Sequence, residues 1–118
     1  MVLLLVGGLQ HCIKPDIAAG WTLQKIYISA VKDHHNAPTQ LNSRHNQKKA
    51  VDISRINDQK IVLGYPGTAS TKAIVDAIQE SFESFVGRRE NFGPRFKKKL
   101  GQAFSVSGHN DHVHLSVN

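Results

Sequence analysis

Short apolar runs separated by polar turns dominate the chain. Residues 26–31 (IYISAV), 50–56 (AVDISRI), 59–63 (QKIVL) and 112–117 (HVHLSV) are strand-like in length and β-branched content. Asn57 and Asp58 fall between the second and third runs, where a hairpin turn is expected. Ile74, Ile78, Phe82 and Phe85 recur at helical spacing, which predicts a helix from residue 71 to about residue 86, capped by Ser70 and stopped by Gly87. The opening MVLLLVGGLQ is apolar but far below the roughly 20 residues of a membrane span. It also lacks the basic start of a secretory signal, so it reads as a buried first element.

The intervening stretches are polar. PDIAAGWTLQK reads as a short helix or turn, KDHHNAPTQLN as a loop containing Pro38, and RRENFGPRFKKKLG as a basic excursion around Gly93 and Pro94. AFSVS is a further strand-like run, and a turn at Gly108 to Asp111 leads into the last strand. The sum is an α+β fold, a small antiparallel sheet flanked by helices, with residues 1–118 expected to form a single domain.

At 118 residues the chain can bury one modest core and not two. Hydrophobic residues at 40% and charged residues at 20% are ordinary for a globular protein. Fifteen Lys and Arg against nine Asp and Glu leave a formal net charge of +6, concentrated at Lys48–Lys49, Arg88–Arg89 and Arg95 to Lys99. That excess favours an anionic partner, whether nucleic acid, lipid or an acidic cell-wall polymer, and equally describes a solvated basic face. Cys12 is the only cysteine, which excludes an intrachain disulfide and a thiolate zinc cluster.

The remaining chemistry lies with histidine and aspartate. His112 and His114 in HVH share one face of a strand, because side chains alternate with a period of two, and both could reach one metal ion. Asp52 projects from a strand between Val51 and Ile53, and His45 sits in the loop leading into it. Catalytic zinc sites use three protein ligands and keep a fourth position for water. A His-x-His pair by itself is more often ordinary surface. Here it accompanies SRH and a downstream Asp52 in the same small chain, and spacing allows either His112 or His114 to be the ligand.

Ser43, His45, Ala50 and Asp52, followed by His112 and His114, form a pattern that resembles the zinc D-Ala-D-Ala carboxypeptidase and L-Ala-D-Glu endopeptidase family. That family shares a fold group with lysostaphin-type enzymes and the hedgehog signalling domain. Its approximate pattern is S-x-H-x-x-G-x-A-x-D with H-x-H far downstream, and the resemblance runs from about Ile26 to the end. It implies a sheet that carries a zinc site, with His45, Asp52 and His114 as ligands and His112 stabilising charge without binding the metal. It also implies Asp111 as general base, with His109 as the alternative base. Lys48 stands where the pattern has glycine, and Lys32 where an arginine is usual. Lysine keeps the charge but not the bidentate grip on a carboxylate.

The expectation is therefore a zinc metallopeptidase acting on peptidoglycan peptides, as an endopeptidase or a carboxypeptidase, in the manner of cell-wall-degrading endolysins. The ion would activate water and polarise the scissile carbonyl, and Lys32 or Arg44 would pair with a substrate carboxylate. A monomer acting at the bacterial cell wall, with no nucleic-acid partner and no membrane span, completes the picture. Two other readings stand beside it. One is a zinc-containing binding module without hydrolysis. The other is a metal-dependent nuclease, for which HNDHVH is suggestive, although only four residues follow His114. His34 and His35 in DHH are read as loop residues, since the phosphoesterases that carry DHH need a longer chain.

Overall fold

The computed structural model describes residues 2–31 and 50–118. In chain order the elements are α1 (Val2–Cys12), β1 (Ile26–Val31), β2 (Ala50–Ile56), β3 (Gln59–Lys60), α2 (Ile61–Gly64), α3 (Ala69–Phe82), β4 (Arg88–Phe92), β5 (Lys97–Lys99), β6 (Gln102–Ala103) and β7 (Val113–Val117). The strands form one sheet in the order β1-β2-β7-β4-β5-β6, with β3 paired to β2, and every pairing is antiparallel. This is the α+β architecture expected, an antiparallel sheet with flanking helices. The apolar opening forms α1, whose Leu5 and Cys12 are buried.

Period-two alternation divides the sheet into two faces. Val51 and Ile53 of β2 and Val113, Leu115 and Val117 of β7 join one core with Ile74, Val75, Ile78 and Phe82 of α3 and Leu5 of α1. The intervening residues Asp52, His114 and Ser116 turn to the opposite face. A one-residue slip in either strand would exchange the two sets, so the core fixes which chemistry faces outward.

Four elements differ from expectation. QKIVL does not continue as a strand: β3 stops at Lys60 and Ile61–Gly64 coils into α2. The register explains why. β3 pairs Lys60 with Arg55 on β2, while β7 already pairs with Ala50 to Ile53 of that strand, so a longer β3 would collide with β7. The turn itself is as expected, with Asn57 and Asp58 at φ 48° and 73° in the left-handed region that two-residue hairpins favour. Asn57 also accepts hydrogen bonds from Gln24 and Lys25 N–H, tying the 22–25 segment to the hairpin.

The main helix starts earlier and ends earlier than its pattern indicates, at Ala69–Phe82, with Thr68 at the N-cap position and no side-chain capping bond. After Phe82 the chain tightens into i to i+3 bonds, Ser84 N–H to Ser81 and Phe85 N–H to Phe82, while Phe85 still packs on the core. The basic excursion is a hairpin of β4 and β5. AFSVS forms no strand of its own beyond Ala103 in β6.

The β4–β5 hairpin is polar yet built on the core. Gln79 of α3, fully buried, donates to Asn91 Oδ1 at 3.0 Å and to the Phe96 carbonyl at 3.0 Å, and accepts from Arg95 N–H at 3.0 Å. Asn91 donates in turn to the Gln79 carbonyl and to Glu83. Gly93 packs on the Gln79 side chain so closely that a Cβ there would collide with its amide. Replacing Gln79 with Leu keeps the volume but leaves these buried groups without their partners, so the protein should lose about 2–3 kcal/mol. Urea unfolding would measure this, and an unchanged midpoint would show that the network does not support the hairpin.

Candidate functional site

Strand register assembles the site. β2 and β7 place Asp52 directly opposite His114, and β7 and β4 place His114 opposite Phe92. On the next pair outward Glu90 lies opposite Lys99. Asp52, His114, Ser116, Glu90, Phe92 and Lys99 thus share the face turned away from the helices.

His114 is at the centre, with its side chain 1% exposed. Its Nδ1 meets Asp52 Oδ1 at 2.7 Å and its Nε2 meets Glu90 Oε1 at 3.0 Å. Ser116 donates to the same Glu90 oxygen at 3.1 Å and accepts from Glu90 N–H at 2.9 Å, which fixes that carboxylate against the strand. The Phe92 ring stacks on the imidazole at 5.7 Å. Burial opposes a charged ring, but the hydrogen bonds that it gives to Asp52 and Glu90 outweigh this and raise the His114 pKa to about 9. The His114 hydrogen bond likewise holds Glu90 down at about 2, against the opposing effect of its burial.

The other histidines approach from the turn before β7. Gly108 and His109 both take left-handed backbone, at φ 78° and 67°, and the turn folds the His109 ring back over the sheet. Its centroid lies 4.9 Å from that of His112 and 5.7 Å from that of His114. Burial, then the neighbouring His112 and His114, lower the His109 pKa. His112 Nδ1 meets Asp111 Oδ1 at 2.7 Å, and its Nε2 stands 4.0 Å from Asp52 Oδ1. Asp111 is 64% exposed and its carboxyl is held below the usual range by the His112 hydrogen bond. A turn at Gly108 to Asp111 is present, and it leaves the Asp111 carboxylate paired with His112.

Of the candidate residues, the structure brings together Asp52, His112 and His114, with His109 and Asp111 at the rim. His45, Lys32 and Arg44, with Ser43, Lys48, His34, His35 and the expected loop that holds several of them, lie outside the described residues. Among the described residues, no group of three or more His, Cys, Asp or Glu could by itself hold a metal ion. Two donors do suit one. Ligand atoms on a tetrahedral zinc stand about 3.3 Å apart for bonds of about 2.0–2.1 Å, so the Asp52–His114 pair, hydrogen-bonded at 2.7 Å, would have to move apart and release the shared proton to hold one. Metal-binding histidines commonly hand their second ring nitrogen to a carboxylate, and Glu90 receives Nε2 of His114 in that manner.

Glu90 is inconspicuous in the sequence, because it sits in a run dominated by basic residues. The available signals were the E-N-F alternation that puts Glu90 and Phe92 on one strand face, and the extension of the His112, His114 period to Ser116. No family model, no curated protein and no solved structure matches the chain.

The ion network makes the metal-free protein pH-sensitive. His114 rises from an ordinary 6.5 to about 9, so its contribution is full below pH 6.5 and is lost as pH climbs through about 9. Glu90 falls from 4.5 to about 2, so its contribution is full above pH 4.5 and is lost as pH drops through about 2. Chelator-treated protein should therefore resist urea best in the interval between pH 4.5 and 6.5. The decline on the alkaline side should flatten in a His114→Asn variant. An identical alkaline decline in that variant would mean that His114 is not its source.

Proposed function

We propose that this protein is a zinc-dependent hydrolase of peptide bonds in bacterial peptidoglycan stem peptides. The observation that carries the reading is the pairing of Asp52 and His114, residues 62 positions apart, at 2.7 Å, with the second nitrogen of His114 given to Glu90. These donors fit zinc, an ion served by imidazole nitrogen and carboxylate oxygen. Asp52 and His114 would hold it together with His45, the ligand implied by the motif. A bound zinc ion lowers the pKa of water and polarises a carbonyl.

The protein's own groups account for the rest of the chemistry. Asp111 is the acceptor for the proton released by the attacking water, and its hydrogen bond to His112 Nδ1 sets that ring's orientation. His112 Nε2 is thereby turned towards Asp52, where it can donate to negative charge that develops on the substrate. Glu90 and Ser116 position His114. The net charge of +6 suits a substrate with free carboxylates in an anionic wall. No helix among the described residues is long and apolar enough to cross a membrane.

Elemental analysis should find one zinc per chain, and His114→Ala or Asp52→Ala should each release it. Mass spectrometry of muropeptides after incubation with zinc-loaded protein should show cleaved stem peptides, and the fragment masses identify the bond and so separate endopeptidase from carboxypeptidase action. Asp111→Ala should keep the zinc and slow cleavage by about 10²-fold or more. Persistent cleavage in that variant would remove Asp111 from the role and turn attention to His109. Zinc-loaded wild-type protein that leaves peptidoglycan uncut would instead make the domain a binding module.

A further inference from the structure

A pocket of about 260 Å³ opens beside His114, between β4 and the chain from Phe104 to His109. Its walls are unlike each other. Phe92, Phe104 and Val106 supply apolar surface, His109 and His114 close the end nearest the metal-ligand pair, and Lys99 reaches in from β5. The volume falls below the roughly 300 Å³ at which whole small-molecule sites begin, so it suits one residue of a longer ligand.

Lys99 is the distinctive group. Its two neighbours do not line the pocket: Lys97 donates to the Val106 carbonyl at 2.7 Å and so ties down the loop before His109, and Lys98, on the opposite strand face, lies 4.8 Å over the Phe96 ring. The Lys99 ammonium lies 5.1 Å over the exposed edge of the apolar wall, at the Phe104 ring. Glu90, its cross-strand neighbour, faces the same pocket but is hydrogen-bonded to His114 and Ser116. The sheet therefore presents a cation and two stacked aromatic rings, Phe92 and Phe104 at 5.7 Å, directly beside His114.

We propose that this pocket is a subsite for a carboxylate-bearing residue of the peptide ligand, with Lys99 pairing with the carboxylate and Phe92 and Phe104 covering the aliphatic part. The inference rests on the peptidase reading for the identity of the ligand, while the pocket itself stands on the residues named. Lysine binds a carboxylate as a point charge without bidentate geometry, so the subsite selects for charge and size. It makes Lys99 a specificity-determining residue in addition to Lys32 and Arg44.

The test uses two probes, acetyl-D-Ala-D-Ala and its C-terminal amide, titrated into the full chain with and without zinc and followed by NMR shifts of Lys99, Phe92 and Phe104. The free acid should bind at least about tenfold more tightly than the amide, since a carboxylate–ammonium contact in a partly desolvated pocket is charge-assisted. Lys99→Met should erase that preference, and Lys98→Met should retain it. Equal binding of acid and amide by the wild type, or a preference that survives Lys99→Met, would overturn the subsite. The outcome separates from that of the hydrolase reading. An acid preference that depends on Lys99, in a protein that cuts no peptidoglycan, upholds the pocket and sinks the peptidase. Cleavage whose KM is indifferent to Lys99→Met upholds the peptidase and sinks the pocket.

Discussion

A buried imidazole held between two carboxylates organises this molecule. His114 can be buried only because Asp52 and Glu90 compensate for the loss of water around it. Those partners come from the strands on either side of β7, so one ring fastens three strands at their centre. Removing either carboxylate would leave part of the charge uncompensated in a nearly dry site, which is more damaging than losing a surface ion pair. The requirement also ties fold to chemistry. The register that buries Leu115 and Ile53 is the register that makes Asp52 and His114 meet.

The ion network of the structure and the proposed metal-bound one would be two solutions to the same electrostatic problem. In the first, a protonated imidazole supplies the positive charge that faces two carboxylates. In the second, a divalent ion would supply it, and the ring would become a neutral ligand with Glu90 as acceptor for its remaining N–H. On the proposed reading, the contacts that bury His114 would also be the ones that orient it towards a cation. Around it the roles divide by position. The turn at Gly108 and His109 brings the rim histidines over the sheet, and the β4–β5 hairpin supplies Glu90, Phe92 and Lys99.

The strands that carry Asp52 and His114 were legible in the sequence because period-two alternation with β-branched residues is a direct record of a half-buried sheet. The buried face of α3 was legible for the equivalent reason, through Ile74, Ile78 and Phe82. What escaped depended on partners distant in sequence. QKIVL has strand composition, and only the occupation of β2 by β7 stops it. The β4–β5 hairpin is nearly all polar and owes its place to Gln79 and Asn91, a buried amide pair that no periodicity announces. Glu90 was hidden with it, so Asp52 and His114 were visible from the motif while the carboxylate that orients His114 was not. His45 belongs to the segment outside the described residues, and its role rests on the motif.

In the proposed function Asp52 and His114 are two donors to one zinc ion. X-ray absorption at the zinc edge, on protein reconstituted with one equivalent of zinc, tests it most directly. Stoichiometric uptake is expected, with a four-coordinate shell of nitrogen and oxygen at about 2.0–2.1 Å and no sulfur, a shell that is lost in His114→Ala. Failure to take up zinc, or a spectrum unchanged by that substitution, would contradict it.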